Sequence, residues 1–125
     1  MTLKTLIPKI FYSDIKTGYD FFVEGLGFKV TYEHNQGTEI FYMINRDGII
    51  IQLVQNDEYA KKDRPEMRII TDDIESFYNE VSNKNPKLLH PNLKVIKHQP
   101  WGLTEFALLD KSGVCVIIQQ ELNGQ

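Results

Sequence analysis

Two stretches of this chain are copies of one plan, and the duplication constrains the fold more than any single residue. Asp14, Ile15, Tyr19 and Phe22 recur as Asp73, Ile74, Tyr78 and Val81, each 59 positions later. The turn Arg46-Asp47-Gly48 before the run Ile49 to Val54 returns as Asp110-Lys111-Ser112-Gly113 before Val114 to Gln119, now 65 positions on. A lone copy of about 55 residues buries too little surface to be comfortable by itself, so the two copies are expected to pack together and leave a seam where a ligand can sit.

Each copy reads as β-α-β-β-β. In the first, an apolar strand from Leu3 to Ser13 is interrupted by Pro8, which points to an edge position or a bulge. Ser13 or Asp14 caps a helix whose Ile15, Tyr19, Phe22 and Leu26 form a core-facing stripe, ended by Gly25 and Gly27. Strands are predicted at 28–33, 38–45 and 49–55, with turns at Asn35-Gln36-Gly37 and Arg46-Asp47-Gly48. A charged linker, 57–65, with room for one helical turn, leads to the second copy. There a strand at 66–71 precedes a helix from Asp73 to Val81 or slightly beyond, capped by Asp72 or Asp73. A polar loop over 83–92 leads to strands near 93–98, 104–109 and 114–120. The modules are thus about 1–56 and 66–122, a single α+β domain with a curved mixed sheet around a cleft.

Strand parity separates the faces, because side chains alternate along a strand. Ile49, Ile51, Leu53 and Val114, Val116, Ile118 suit packing under the helices, matched by Pro8, Ile10 and Met67, Ile69. The opposite face carries Ile50, Gln52, Val54 and Cys115, Ile117, Gln119, with Ile7, Lys9, Phe11 and Glu66, Arg68, Ile70 beside them. The face that admits glutamine is the one expected to meet a ligand, and it is apolar with a few polar groups, as small-molecule sites usually are.

Composition narrows the partners. A net charge of −3 with basic and acidic residues interspersed leaves no stripe for nucleic acid. No run approaches a membrane span and the start lacks the apolar stretch of a signal peptide, so a cytoplasmic place is expected. The one cysteine, Cys115, reads as a small hydrophobe in a reducing compartment.

The phrase Asp14-Ile15 to Phe21-Phe22 followed by Gly25-Leu26-Gly27-Phe28, and the later Pro100-Trp101-Gly102 to Glu105-Phe106-Ala107-Leu108-Leu109-Asp110 to Gly113, resemble the vicinal-oxygen-chelate superfamily. That superfamily comprises glyoxalases, extradiol dioxygenases, and bleomycin and fosfomycin resistance proteins. The resemblance spans nearly the whole chain. It implies that metal-dependent members hold a divalent ion through one side chain on the first and one on the last strand of each module. The matching positions are Ile7, Gln52, Glu66 and Ile117. Isoleucine cannot ligate, and Gln52 with Glu66 leave at most two oxygen ligands. His34, His90 and His98 show no paired spacing and read as loop or strand-end residues.

No catalytic residue, metal or cofactor is therefore assigned, and the closest resemblance is to the bleomycin-resistance type. It implies a homodimer whose clefts hold a large, flat, cationic glycopeptide against aromatic side chains. The positions that match are Phe41 and Trp101, with Tyr32 as a further wall. Core packing is the alternative for Phe41, and a plain strand position for Tyr32. Aromatic faces offer apolar area and cation–π attraction at little entropic cost. Lys9 and Arg68 place positive charge beside Glu66, which suits an anionic or carbonyl-bearing metabolite better than a cation. The expected ligand set is Tyr32, Phe41, Gln52, Glu66, Arg68 and Trp101, in a protein that binds or sequesters a small molecule. The alternatives are a metal-dependent or Glu66-based lyase, isomerase or dioxygenase, and a scaffold with a vestigial cleft.

Overall fold

The computed structural model describes residues 1–121; the expected end of the second module, Leu122, lies outside them. The chain divides into two compact units, Met1–Asp63 and Arg64–Gln125, each with its own four-stranded mixed sheet.

In the first unit the strands are β1 (Lys9–Tyr12), β2 (Lys29–Gln36), β3 (Glu39–Arg46) and β4 (Ile49–Gln55), in the spatial order β1-β4-β3-β2. β1 runs parallel to β4 and the other pairs are antiparallel. The strand expected over Leu3 to Ser13 is cut to four residues. Proline cannot donate to a ladder, so β1 begins only after Pro8, although the Pro8 carbonyl still accepts from the Gln52 N–H at 2.9 Å. The edge position that Pro8 suggested for this strand is where β1 lies. The β3–β4 hairpin turns through Asp47 (φ 52°) and Gly48 (φ 84°), the pair of positive φ angles that an Asp-Gly two-residue loop supplies. The β2–β3 hairpin turns later than expected, because β2 continues through Gln36 and Gly37 takes the left-handed conformation.

Helix α1 (Ile15–Gly18) starts at Asp14, whose side chain accepts from the Lys16 N–H. The expected α-helical stripe does not continue in regular form, because Tyr19–Gly25 is π-helical. Within this stretch the adjacent Phe21 and Phe22 both face inward. Both are buried, in edge-to-face contact at 4.9 Å, and Phe22 meets Phe28 at 5.6 Å. With Ile10, Tyr12, Leu26, Ile44, Ile51 and Leu53 they form the core of this unit. The linker carries the helical turn it had room for, α2 (Asp57–Ala60), capped by Asn56 through the Tyr59 N–H at 3.0 Å.

The second unit repeats the plan with β5 (Glu66–Ile70), β6 (Lys97–His98), β7 (Leu103–Leu109) and β8 (Cys115–Glu121), in the order β5-β8-β7-β6. Helix α3 (Ile74–Lys84) is capped by Asp73 and runs three residues beyond Val81. Its Ile74 and Val81 are buried, as are Phe106, Leu108, Val116 and Ile118, and together they make up the core of this unit. The strand expected over 93–98 shrinks to two residues. Leu93 instead lends its carbonyl to the Ala107 N–H at 2.9 Å, outside any regular ladder. The polar loop before it holds a 3₁₀ turn at Pro86–Leu88 and a single bridge from Leu89 to Leu108. Among the described residues no helix is long and apolar enough to cross a membrane.

Candidate functional site

The registers of the two sheets repeat as the sequence copies require. Lys9 pairs with Gln52, and their counterparts Arg68 and Ile117 pair in the same way. The face of each sheet opposite its main helix, α1 or α3, can therefore be written as rows of directly opposed residues.

On the first sheet one row runs Lys9, Gln52, Met43, Tyr32, and the next Phe11, Val54, Phe41, His34. A register shift between Val30 and Tyr32 brings Tyr32 onto this face. The aromatic groups touch. Phe41 lies 5.8 Å from Tyr32 and is stacked on His34 at 5.2 Å with ring planes 9° apart. Phe11 meets Tyr59 of α2 at 5.0 Å. Tyr32 is 55% exposed, while Phe41 and Gln52 are half-buried. Three of the six expected ligand residues thus share one face of one sheet. Phe11 and Tyr59 belong to the same surface and were not among those six. Parity signalled Phe11, but nothing local tied Tyr59, in the linker, to a strand face.

On the second sheet the rows are Glu66, Cys115, Leu109, then Arg68, Ile117, Ala107, then Ile70, Gln119, Glu105, Lys97. Glu66 and Arg68 form an ion pair at 3.3 Å with both side chains about half-exposed, an arrangement worth little to stability. Burial, and then the neighbouring Glu66 carboxylate, push the Cys115 thiol above its ordinary pKa, which is the opposite of what a nucleophilic thiolate needs. Trp101 is 65% exposed in the turn after β6, where Gly102 donates to the Gln99 carbonyl at 3.1 Å. The structure does not bring Trp101 to Glu66 and Arg68. Glu66 pairs at the start of β8, while Leu103, two residues past Trp101, pairs with Glu121 at its end. At about 3.3 Å per residue, these points are about 20 Å apart along the strand.

A buried polar group here had no place in the sequence reading. Glu105, 7% exposed, accepts from the Gln119 amide at 2.8 Å on one oxygen and from the Gln99 amide at 2.9 Å on the other. Its parity with Gln119 across the hairpin was the available signal. The two amides satisfy the carboxylate where the rest of the row is apolar or exposed, and the Gln99 bond ties the Trp101 turn to the sheet.

The four positions that the family resemblance matched to metal ligands, Ile7, Gln52, Glu66 and Ile117, do not fit such a centre. Ile7 and Ile117 carry no donor atom, and Ile117 is 9% exposed beside Ala107. The Glu66 carboxylate is engaged by Arg68. Among the described residues no three His, Cys, Asp or Glu side chains converge to hold an ion. Each histidine is used locally. His34 Nδ1 bonds the Glu39 carbonyl, His90 Nδ1 accepts from the Asn92 N–H, and His98 Nδ1 bonds the Thr104 hydroxyl.

This architecture has known counterparts. A bleomycin-binding protein complexed with bleomycin superposes with a TM-score of 0.75 at 19% identity, over 95% of this chain and 99% of that one. The bleomycin-binding protein of bleomycin-producing Streptomyces verticillus, complexed with copper(II)-bleomycin, gives 0.72 at 18% identity over 94% and 96%. A glyoxylase/bleomycin resistance protein/dioxygenase domain from Frankia sp. EAN1pec gives 0.77 at 12% identity over 99% and 96%. At such identities the likeness is one of fold. No curated protein matches the sequence. The family model described as glyoxalase superfamily protein matches residues 1–125, and with the duplicated β-α-β-β-β plan in place the chain belongs to the glyoxalase superfamily.

Proposed function

We propose that this protein binds and sequesters a small organic molecule without a metal held by its own side chains. The observation that carries this reading is that isoleucine, Ile7 and Ile117, stands at two of the four matched ligand positions, in a chain that keeps exposed and half-buried aromatic rings on the face of its first sheet opposite α1. Loss of donors removes the means of polarising a substrate oxygen, whereas aromatic area retained at a surface has a cost in water unless something covers it. Structural relatives that were solved with bleomycin bound support the same reading.

The proposal includes a homodimer and a cytoplasmic location. Leu3, Leu6 and Ile7 are exposed, apolar surface of the kind that a symmetric second copy covers. The free Cys115 fits a reducing compartment.

The test is a thermal-shift screen of metal ions, antibiotics and aromatic metabolites, joined to metal analysis of protein purified without chelator. A ligand at 100 times its dissociation constant adds about 2.7 kcal/mol of stability. An organic ligand should raise the transition in metal-stripped protein. Close to one tightly held metal per chain, or a shift seen only with metals, would overturn the reading.

A further inference from the structure

The face of the first sheet opposite α1 holds two polar side chains that have no hydrogen-bond or ion-pair partner among the described residues. Lys9 and Gln52 are direct partners in the β1–β4 register and so stand side by side on this face. The Lys9 ammonium lies 5.8 Å from the centroid of the Phe11 ring, and among the described residues it has no carboxylate partner. The Gln52 amide is half-buried and makes no side-chain hydrogen bond among those residues. A partly desolvated amide left unpaired is unfavourable, and a cation beside an aromatic face gains from a counter-charge. Next to this pair Phe11, Val54 and Phe41 form an apolar row, with Tyr59 against Phe11 at one end and His34 and Tyr32 against Phe41 at the other.

We propose that this face binds a planar aromatic carboxylate, with the carboxylate on Lys9 and Gln52 and the ring system over Phe11 and Phe41, the half-buried rings that flank the buried Val54. The inference rests on the binding reading above and adds the ligand class. A carboxylate can accept from the Lys9 Nζ and from the Gln52 Nε2 at once, meeting both unused donors. Charge sets the orientation. Glu39, the carboxylate that shares this face on β3, pairs with Gln36 at the hairpin tip beyond Phe41, so the acidic end of the ligand belongs at the β1–β4 side. Lys62, 4.9 Å from the Tyr59 centroid, adds positive charge at that side, though Glu58 approaches it at 3.8 Å. A cationic ligand would meet Lys9 as a repulsive neighbour.

The experiment titrates the full chain with 1-naphthoate, neutral 1-naphthamide and 1-naphthylmethylammonium by calorimetry, with backbone amide shifts recorded in parallel. Naphthoate should bind most tightly, with shifts concentrated on β1, β3 and β4. Lys9 is exposed, so Lys9→Met should leave the thermal transition in place while weakening naphthoate by about fivefold to tenfold and bringing it level with naphthamide. Phe41→Leu should weaken all three. Naphthoate no tighter than naphthamide, an undiminished preference in Lys9→Met, tightest binding of the ammonium, shifts confined to other strands, or no binding at all would each overturn the inference. A second copy covering this face would give the last of these. The outcomes remain separable from the broader reading, which stands if the thermal-shift screen finds another organic ligand for metal-stripped protein.

Discussion

The side-chain oxygen of Gln120 accepts the backbone N–H of Ile74 at 2.8 Å, fastening the start of α3 to the last strand of its own unit. Gln55 does the same for Ile15 at 3.0 Å, and both members of this pair recur at the offsets of the duplication. The first turn of a helix leaves four N–H groups without intrahelical partners. Here one carboxylate cap and one distant glutamine share that task in each copy.

Replacing Gln120 by Leu removes the acceptor for Ile74 and the donor that its Nε2 gives the Asp72 carbonyl at 2.8 Å. The part-buried N–H is left unsatisfied, so the variant should lose about 1–2 kcal/mol in urea unfolding with an unchanged slope. A loss confined to a few tenths would show that water takes over both bonds.

Gly18, where α1 passes into the π-helical stretch, has no room for a side chain, since an added Cβ would run into the buried Tyr12 ring. Glycine to alanine inside a helix ordinarily gains up to about 1 kcal/mol. Overpacking against a ring fixed in the core costs about 1–3 kcal/mol, so the sign should reverse and Gly18→Ala should lower the melting temperature. A rise would mean that Tyr12 can move aside.

Asp73 caps α3 through the Ser76 N–H at 3.0 Å and the Ser76 hydroxyl at 2.7 Å, and these bonds hold its carboxyl below the ordinary carboxylate range. A folded pKa lower than the unfolded one contributes stability that is present above the unfolded value, about 3.9, and is lost as the pH falls through the folded one. Asp73→Asn should therefore be less stable than the parent at neutral pH, and the gap should close on acidification below about pH 4. Unfolding curves at a series of pH values read this directly; a gap that does not change with pH would assign the loss to geometry alone.

Trp101 is the sole tryptophan, and its exposure predicts emission close to that of an indole in water, readily quenched by acrylamide. Trp101→Ala should stay within about 0.5 kcal/mol of the parent stability. A blue-shifted, protected emission, or a melting temperature lower by many degrees, would place the indole in the core.

Features whose causes lie within a few residues were legible in the chain itself. The duplication, the caps at Asp14 and Asp73, the Asp47-Gly48 hairpin and the parity of β4 and β8 depend on local bonding and on the period of the side chains, and the structure has them where the pattern placed them. The family resemblance lay in two motifs, Asp14 to Phe28 and Pro100 to Gly113, and the family model matches the chain throughout. Features that depend on partners far along the chain needed tertiary structure. The reach of Gln55 and Gln120 to helix starts 40 and 46 residues away, the buried Glu105 between Gln99 and Gln119, and the contact of Tyr59 with Phe11 all arise from packing that no local pattern encodes. The same holds for the π-helical Tyr19–Gly25 and for the strands that shortened behind Pro8 and after Leu93. A strand exists only where a neighbour accepts its hydrogen bonds, and that neighbour is chosen by the fold.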